Sequence, residues 1–86
     1  MLDENKKKDF LAKFGKRLGE IKKTKGLTYR KIAANCDLDS SYISKIEKGT
    51  ENITLETLLN LAYGLEIEPK ELFDFKIKTE VDDIRK

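Results

Sequence analysis

Apolar residues recur along this chain at helical spacing over most of its length. Phe10, Phe14, Leu18 and Ile21 stand at i, i+4, i+8 and i+11, one face of a helix, with Lys13, Lys16, Arg17, Lys22 and Lys23 between them. Asp3 is a candidate N-cap for this helix, Lys25 its last residue and Gly26 its C′ residue. Gly19 inside it costs about 1 kcal/mol relative to Ala, and so marks either a close-packing point or a weak spot. Thr28 caps a second helix, Tyr29 to about Cys36, with Ile32, Ala33 and Cys36 inward. Asp39 caps a third, Ser40 to Lys48, closed by Gly49. Thr54 caps a fourth, Leu55 to about Gly64, with Leu58, Leu59, Leu61, Ala62 and Leu65 inward. Pro69 opens a fifth, Pro69 to Asp74, which buries Leu72 and Phe73. The pattern predicts an all-α fold of five helices joined by short turns.

Only the tail breaks the pattern. Phe73, Phe75, Ile77, Thr79 and Val81 alternate as in a strand, while Ile77, Val81 and Ile84 also fit a helix. A lone strand is not stable, so a strand here needs a partner, most simply the same strand of a second copy. The chain divides into a helical domain over residues 1–75 and a tail over 76–86 that is a candidate dimerisation element.

At 86 residues the chain has room for one small domain and none for a separate sensor or catalytic module. No 18-residue apolar run predicts a membrane span, and the N-terminus MLDENKKKDF has no apolar signal region. One cysteine makes no internal disulfide, and the expected compartment is the cytoplasm. Histidine is absent, which removes the commonest acid–base group and metal ligand; with a single Cys there is no zinc set and no Cys–His dyad. No glycine-rich phosphate loop is present. The expectation is a binding protein without cofactor, not an enzyme. Charge is bland overall at +2 but uneven: +5 over residues 1–26, +1 over 27–49 and −4 over 50–86. One end can face an anion while the other stays acidic. Lys6 to Lys8 read as a solvated helix start or as an arm adding phosphate attraction.

Candidate chemistry concentrates between Thr28 and Gly49. Two short helices flank a tight turn, Cys36-Asp37-Leu38, and Ala33 is small enough to let them approach. The turn asks for a positive φ, which Asp37 can adopt. Ile43 and Ile46 fix the inward face of the third helix, so Ser41, Ser44, Lys45 and Lys48 point outward, flanked by Ser40, Tyr42 and Glu47. Such a face fits a major groove: Lys45 can donate to guanine O6 and N7, and Tyr42 either lays its ring on a thymine methyl or packs on the neighbouring helix. Cys36, on an inward face, reads as a small core residue rather than a redox switch.

The stretch TYRKIAANCDLDSSYISKIEKG followed by ITLETLLNLAYGLEIEPKELF resembles the helix-turn-helix domains of the lambda-repressor/Cro-like family, also called XRE-type, over about Gly15 to Phe73. Its SSYIS segment looks most like restriction-modification controller proteins and small stand-alone repressors. The resemblance implies a five-helix DNA-binding domain that dimerises on a palindromic operator. By position, Ser40, Ser41, Ser44 and Lys45 would read bases, and Thr28, Tyr29, Lys48 and Asn52 would hold phosphates. Lys22 and Glu47 match a structural ion pair between the first and third helices. Tyr29 stands where the family often has Gln, Asp37 where it usually has Gly, and Asp39 brings a negative charge near the phosphates.

The expected function is thus a sequence-specific transcription regulator, a repressor in the first instance, that binds double-stranded DNA as a homodimer. Its further contacts would be RNA polymerase or a partner protein. Tyr63, Leu65, Ile67, Phe73, Phe75, Ile77 and Val81 are the candidate dimer interface, being more apolar surface than one small domain hides. The alternative is a protein–protein adaptor or antitoxin-type module, with the acidic half as the working surface and DNA secondary.

Overall fold

The computed structural model describes residues 2–77. It contains four α-helices, α1 (Glu4–Thr24), α2 (Tyr29–Ala34), α3 (Ser40–Glu47) and α4 (Leu55–Leu65), and a closing 3-10 helix, Pro69–Phe73. The fifth helix of the sequence pattern is therefore a single tight turn of 3-10 type. Asp3 caps α1 by accepting from the Lys6 amide at 2.8 Å. The far end closes with the Leu27 amide donating to the Lys22 carbonyl at 2.9 Å and the Gly26 amide to Lys23 at 3.1 Å. That pairing needs a left-handed residue between them, and Gly26 has φ 66°. Thr28, Asp39 and Thr54 cap the next three helices as their chemistry dictates, each accepting from a backbone amide of the first turn.

The core is one cluster: Phe14, Leu18 and Ile21 from α1, Ile32 from α2, Ile43 and Ile46 from α3, Leu58, Leu61 and Leu65 from α4, and Leu72. α1 packs on α3 and on the 3-10 helix, α4 on α2 and the 3-10 helix, and α2 on α3. Arg17 ties α1 to the 3-10 helix, its Nε donating to the Glu71 carbonyl at 2.8 Å. α1 meets α3 at backbone distance: a Cβ on Gly15 would collide with the carbonyl groups of Ile46 and Glu47. On Gly19 a Cβ would collide with the Glu47 side chain, so this glycine is a close-packing point.

Several expectations are corrected. α2 ends at Ala34, two residues before Cys36, whose thiol donates to the Ile32 carbonyl at 3.3 Å. Asp37 does not take a positive φ; among the described residues Glu66, with φ 60°, is the only non-glycine that does. The turn into α3 is held from α4 instead, where Asn60 Oδ1 accepts the Asp37 amide at 3.4 Å. The left-handed residue closes α4, and the Glu66 carbonyl accepts from Lys25 Nζ at 3.2 Å. Leu59 is half exposed rather than inward. Leu65 is fully buried within one chain, because it lies on the face of α4 that meets α2 and the 3-10 helix, and it is not available to a dimer interface. Phe10 lies at the margin of the core, tilted against Phe75 at 5.6 Å between ring centres. Lys76 and Ile77 are in neither helix nor strand. Val81 and the rest of the tail, residues 78–86, lie outside the described residues, and with them the choice between strand and helix.

Candidate nucleic-acid interface

α3 is eight residues long, and Ile43 and Ile46, at 0% and 1% exposure, anchor it in the core. On a 3.6-residue period this turns Ser41, Lys45 and Lys48 fully outward and leaves Ser40, Tyr42 and Ser44 half-buried on the flanks. Lys45 and Lys48 make no ion pair among the described residues. The Lys45 carbonyl accepts from the Thr50 amide at 3.2 Å and from its hydroxyl at 3.0 Å, which closes the helix. At the other end Asp39 accepts from the Ser41 amide and from the Ser41 hydroxyl, both at 3.2 Å. The carboxylate is thereby spent on the start of α3, and the lone pairs of Ser41 face solvent. Tyr42 packs its ring partly against the core.

The expected phosphate-binding groups separate in space. Thr28 is exposed, and its oxygen accepts from the Lys31 amide at 3.1 Å, which leaves its own proton available. Asn52 is exposed in the loop between α3 and α4, where it lines a groove with Phe10, Leu11 and Lys13 of α1. Tyr29 behaves differently. Its hydroxyl donates to Glu47 Oε1 at 2.7 Å, and Lys22 Nζ lies 3.9 Å from the same oxygen and 4.7 Å from the centre of the Tyr29 ring. The structure therefore brings the Lys22–Glu47 pair together and adds Tyr29 to it. The hydrogen bond to Glu47, then burial, then the Glu47 charge hold the phenol above its ordinary pKa, with the Ser44 hydroxyl acting in the opposite sense.

A second exposed surface is apolar. Leu55, Leu59 and Tyr63 recur every fourth residue along the outer face of α4, at 82%, 50% and 68% exposure. Sequence reasoning named only Tyr63 of these three. It read Leu59 as inward and passed over Leu55, although the spacing gives α4 two apolar faces. Of the other interface candidates, Phe73 is exposed beside the Phe14 ring, and Ile67, Phe75 and Ile77 are half-buried. No group of His, Cys, Asp and Glu that could hold a metal occurs among the described residues, and no described helix is long and apolar enough to cross a membrane.

Residues 15–76 match a family described as a helix-turn-helix domain. The chain is similar to the control protein C.BamHI of Bacillus amyloliquefaciens, 38% identical over 63 residues, which are 72% of this chain and 78% of that protein. Its fold is similar to that of the restriction-modification controller protein C.AhdI from Aeromonas hydrophila, with a TM-score of 0.71 and 45% identity over 74% of this chain and 97% of that one. It is also similar to the controller protein C.Esp1396I, solved as a tetramer in complex with its natural 35 base-pair operator, with a TM-score of 0.68 and 30% identity over 88% of this chain and 95% of that one. Shared fold and shared residues run through most of the length of these relatives, and the chain belongs to the helix-turn-helix family of restriction-modification controller proteins.

Proposed function

We propose that this protein is a sequence-specific transcription regulator that binds a palindromic operator as a homodimer through α3, and that the operator lies at a restriction-modification locus. The observation that carries the reading is the outward face of α3, where Ser41, Lys45 and Lys48 are exposed, the two lysines have no ion-pair partner among the described residues, and Ile43 and Ile46 fix the helix behind them. The complex of the related C.Esp1396I with its operator supports it. Lys45 and the hydroxyls of Ser40, Ser41 and Ser44 read base edges, with Tyr42 offering its exposed edge beside them. Thr28, Lys48 and Asn52 hold phosphates and set the register. Hydroxyls make few strong base contacts, so the shape of the duplex carries part of the specificity. The protein works in the cytoplasm by binding, not by catalysis, and represses by occupying a promoter.

Two recognition helices presented about 34 Å apart match half-sites one helical turn apart. The α4 stripe of Leu55, Leu59 and Tyr63, flanked by Phe73, is the surface that joins the two copies. The test is selection of duplexes from a random pool, followed by titration of the selected and a scrambled duplex across a salt series. A palindromic selected sequence preferred by ~10³ or more, with Lys45→Ala narrowing the preference about tenfold, is the expected result. Equal weak binding to both duplexes would overturn it and leave a protein partner as the main ligand.

A further inference from the structure

We infer that Tyr29 is a positioning residue for base reading: its hydroxyl fixes Glu47, and through it the seat of α3 on α1 and α2, and it is not a phosphate ligand. The inference rests on the DNA-binding reading above. A phenol has one proton, and that of Tyr29 goes to Glu47 Oε1 at 2.7 Å. A phosphodiester oxygen only accepts, so it gains nothing from this hydroxyl unless the bond to Glu47 is broken.

Three helices meet at the one carboxylate. Tyr29 opens α2, Glu47 ends α3, and Lys22 reaches the carboxylate from α1. The second carboxylate oxygen of Glu47 lies against Gly19 of α1, in space that a Cβ there would occupy. Lys22 also stands 4.7 Å over the ring of Tyr29, which holds the ring as well as its hydroxyl. The groups facing Tyr29 are thus Lys22 from α1 and Glu47 and Ser44 from α3.

The consequence for reading is geometric. Ile43 and Ile46 set the depth of α3, but they lie within one turn of each other and resist tilting poorly. Glu47 pins the far end. With that end released α3 pivots on Ile43 and Ile46, and Ser41 lies about 5 Å along the axis from their midpoint, so a swing of roughly 10° displaces it by about 0.9 Å. A hydrogen bond to a base edge has a window of a few tenths of an ångström. The long side chain of Lys48 follows a phosphate through the same swing. Loss of the Tyr29 hydroxyl therefore acts on discrimination and spares general affinity.

The experiment titrates the selected and the scrambled duplex with the wild type, Tyr29→Phe and Glu47→Gln, well below the melting temperature of each as read by circular dichroism. Tyr29→Phe keeps the ring and its contact with Lys22. The expected result is a preference for the selected duplex reduced about tenfold, scrambled-duplex affinity within about twofold and an unchanged salt slope. Glu47→Gln still accepts from the phenol and should lose less preference than Tyr29→Phe. Equal weakening on both duplexes would make Tyr29 a phosphate ligand and overturn the inference, as would no change on either. A wild type that itself shows no preference sinks the regulatory reading and this inference with it, whereas preference kept by Tyr29→Phe sinks this inference alone.

Discussion

α3 and α4 each turn one face into the core and one outward, and the outward faces differ in kind. On α3 the outward residues are hydroxyls and ammonium groups, and Lys45 and Lys48 have no counter-charge among the described residues. On α4 they are Leu55, Leu59 and Tyr63, three large apolar side chains that no other described residue covers. A cationic face that folding leaves unpaired suits a polyanion. An apolar stripe that folding leaves wet suits a surface like itself. The charge distribution runs the same way, less steeply: residues 27–49, which hold α3, carry +1 and residues 50–86 carry −4. The outward faces of the two helices therefore differ in chemistry while the helices share one core.

The largest test breaks the α4 side. Leu59→Glu leaves the monomer fold intact, because Leu59 is half exposed and Glu is a good helix former. In a dimer it buries an unpaired charge, so the dimer dissociation constant should rise ~100-fold or more, about 2.7 kcal/mol. Sedimentation across a concentration series reads it. Unchanged dimerisation would move the interface to Phe73, Phe75 and Ile77 and remove the contrast between the two helices.

The next test breaks the seat of α3. A Cβ on Gly15 meets the backbone of Ile46 and Glu47, which cannot step aside without moving α3. Gly15→Ala gains about 1 kcal/mol of helix propensity and still should lose ~2 kcal/mol net, a fall of about 10 °C in Tm. Gly19→Ala meets only the far end of the Glu47 side chain, so its loss should be smaller. Equal melting temperatures for the wild type and Gly15→Ala would show that α1 and α3 are not in backbone contact.

These glycines show where the sequence was legible and where it was not. Periodicity and caps located every helix, because a 3.6-residue apolar period and a Ser, Thr or Asp before it are local properties of the chain. The core was legible for the same reason, except on α4 and at Phe73, which the pattern places inward and the structure leaves exposed. On α4 apolar residues occur on two faces, and periodicity alone cannot say which face a neighbour covers; Leu59 was misread for that reason. Asp37 was misplaced because the turn is stabilised by Asn60, 23 residues away, and not by its own backbone angle. Ile43 and Ile46 alone predict the outward set Ser41, Ser44, Lys45 and Lys48, of which the structure exposes all but Ser44, which is half-buried. The bond from Tyr29 to Glu47 depends on how α2 lies on α3, which no local pattern encodes; the one signal was a phenol standing where the family often has an amide.

The third test sharpens the DNA side. Lys48, exposed at the end of α3 and without an ion pair among the described residues, should act as a point charge on a phosphate. Lys48→Ala should weaken the selected and scrambled duplexes alike, about tenfold at low salt, and reduce the slope of log affinity on log salt by about 1. Lys45→Ala should instead act mainly on the selected duplex. If the two substitutions behave alike, α3 does not separate positioning from reading.

The smallest test concerns the joint between the helices, and its pH dependence has a defined sign. Folding raises the Tyr29 pKa above its ordinary value of 10.0, chiefly because the phenol donates to Glu47. The folded state therefore holds this proton more tightly than the unfolded chain, and the stabilisation is complete below pH 10. It is lost as pH rises through the folded-state value, when a phenolate would face the Glu47 carboxylate. Tyr29→Phe has no such proton, so the wild type should exceed it by about 1 kcal/mol at neutral pH. The two proteins differ only in this hydroxyl, so the difference between their unfolding curves isolates the phenol. That difference should stay flat from pH 7 to about 9.5 and then shrink. No difference between the two proteins at any pH would mean that the ring, not its hydroxyl, joins α2 to α3.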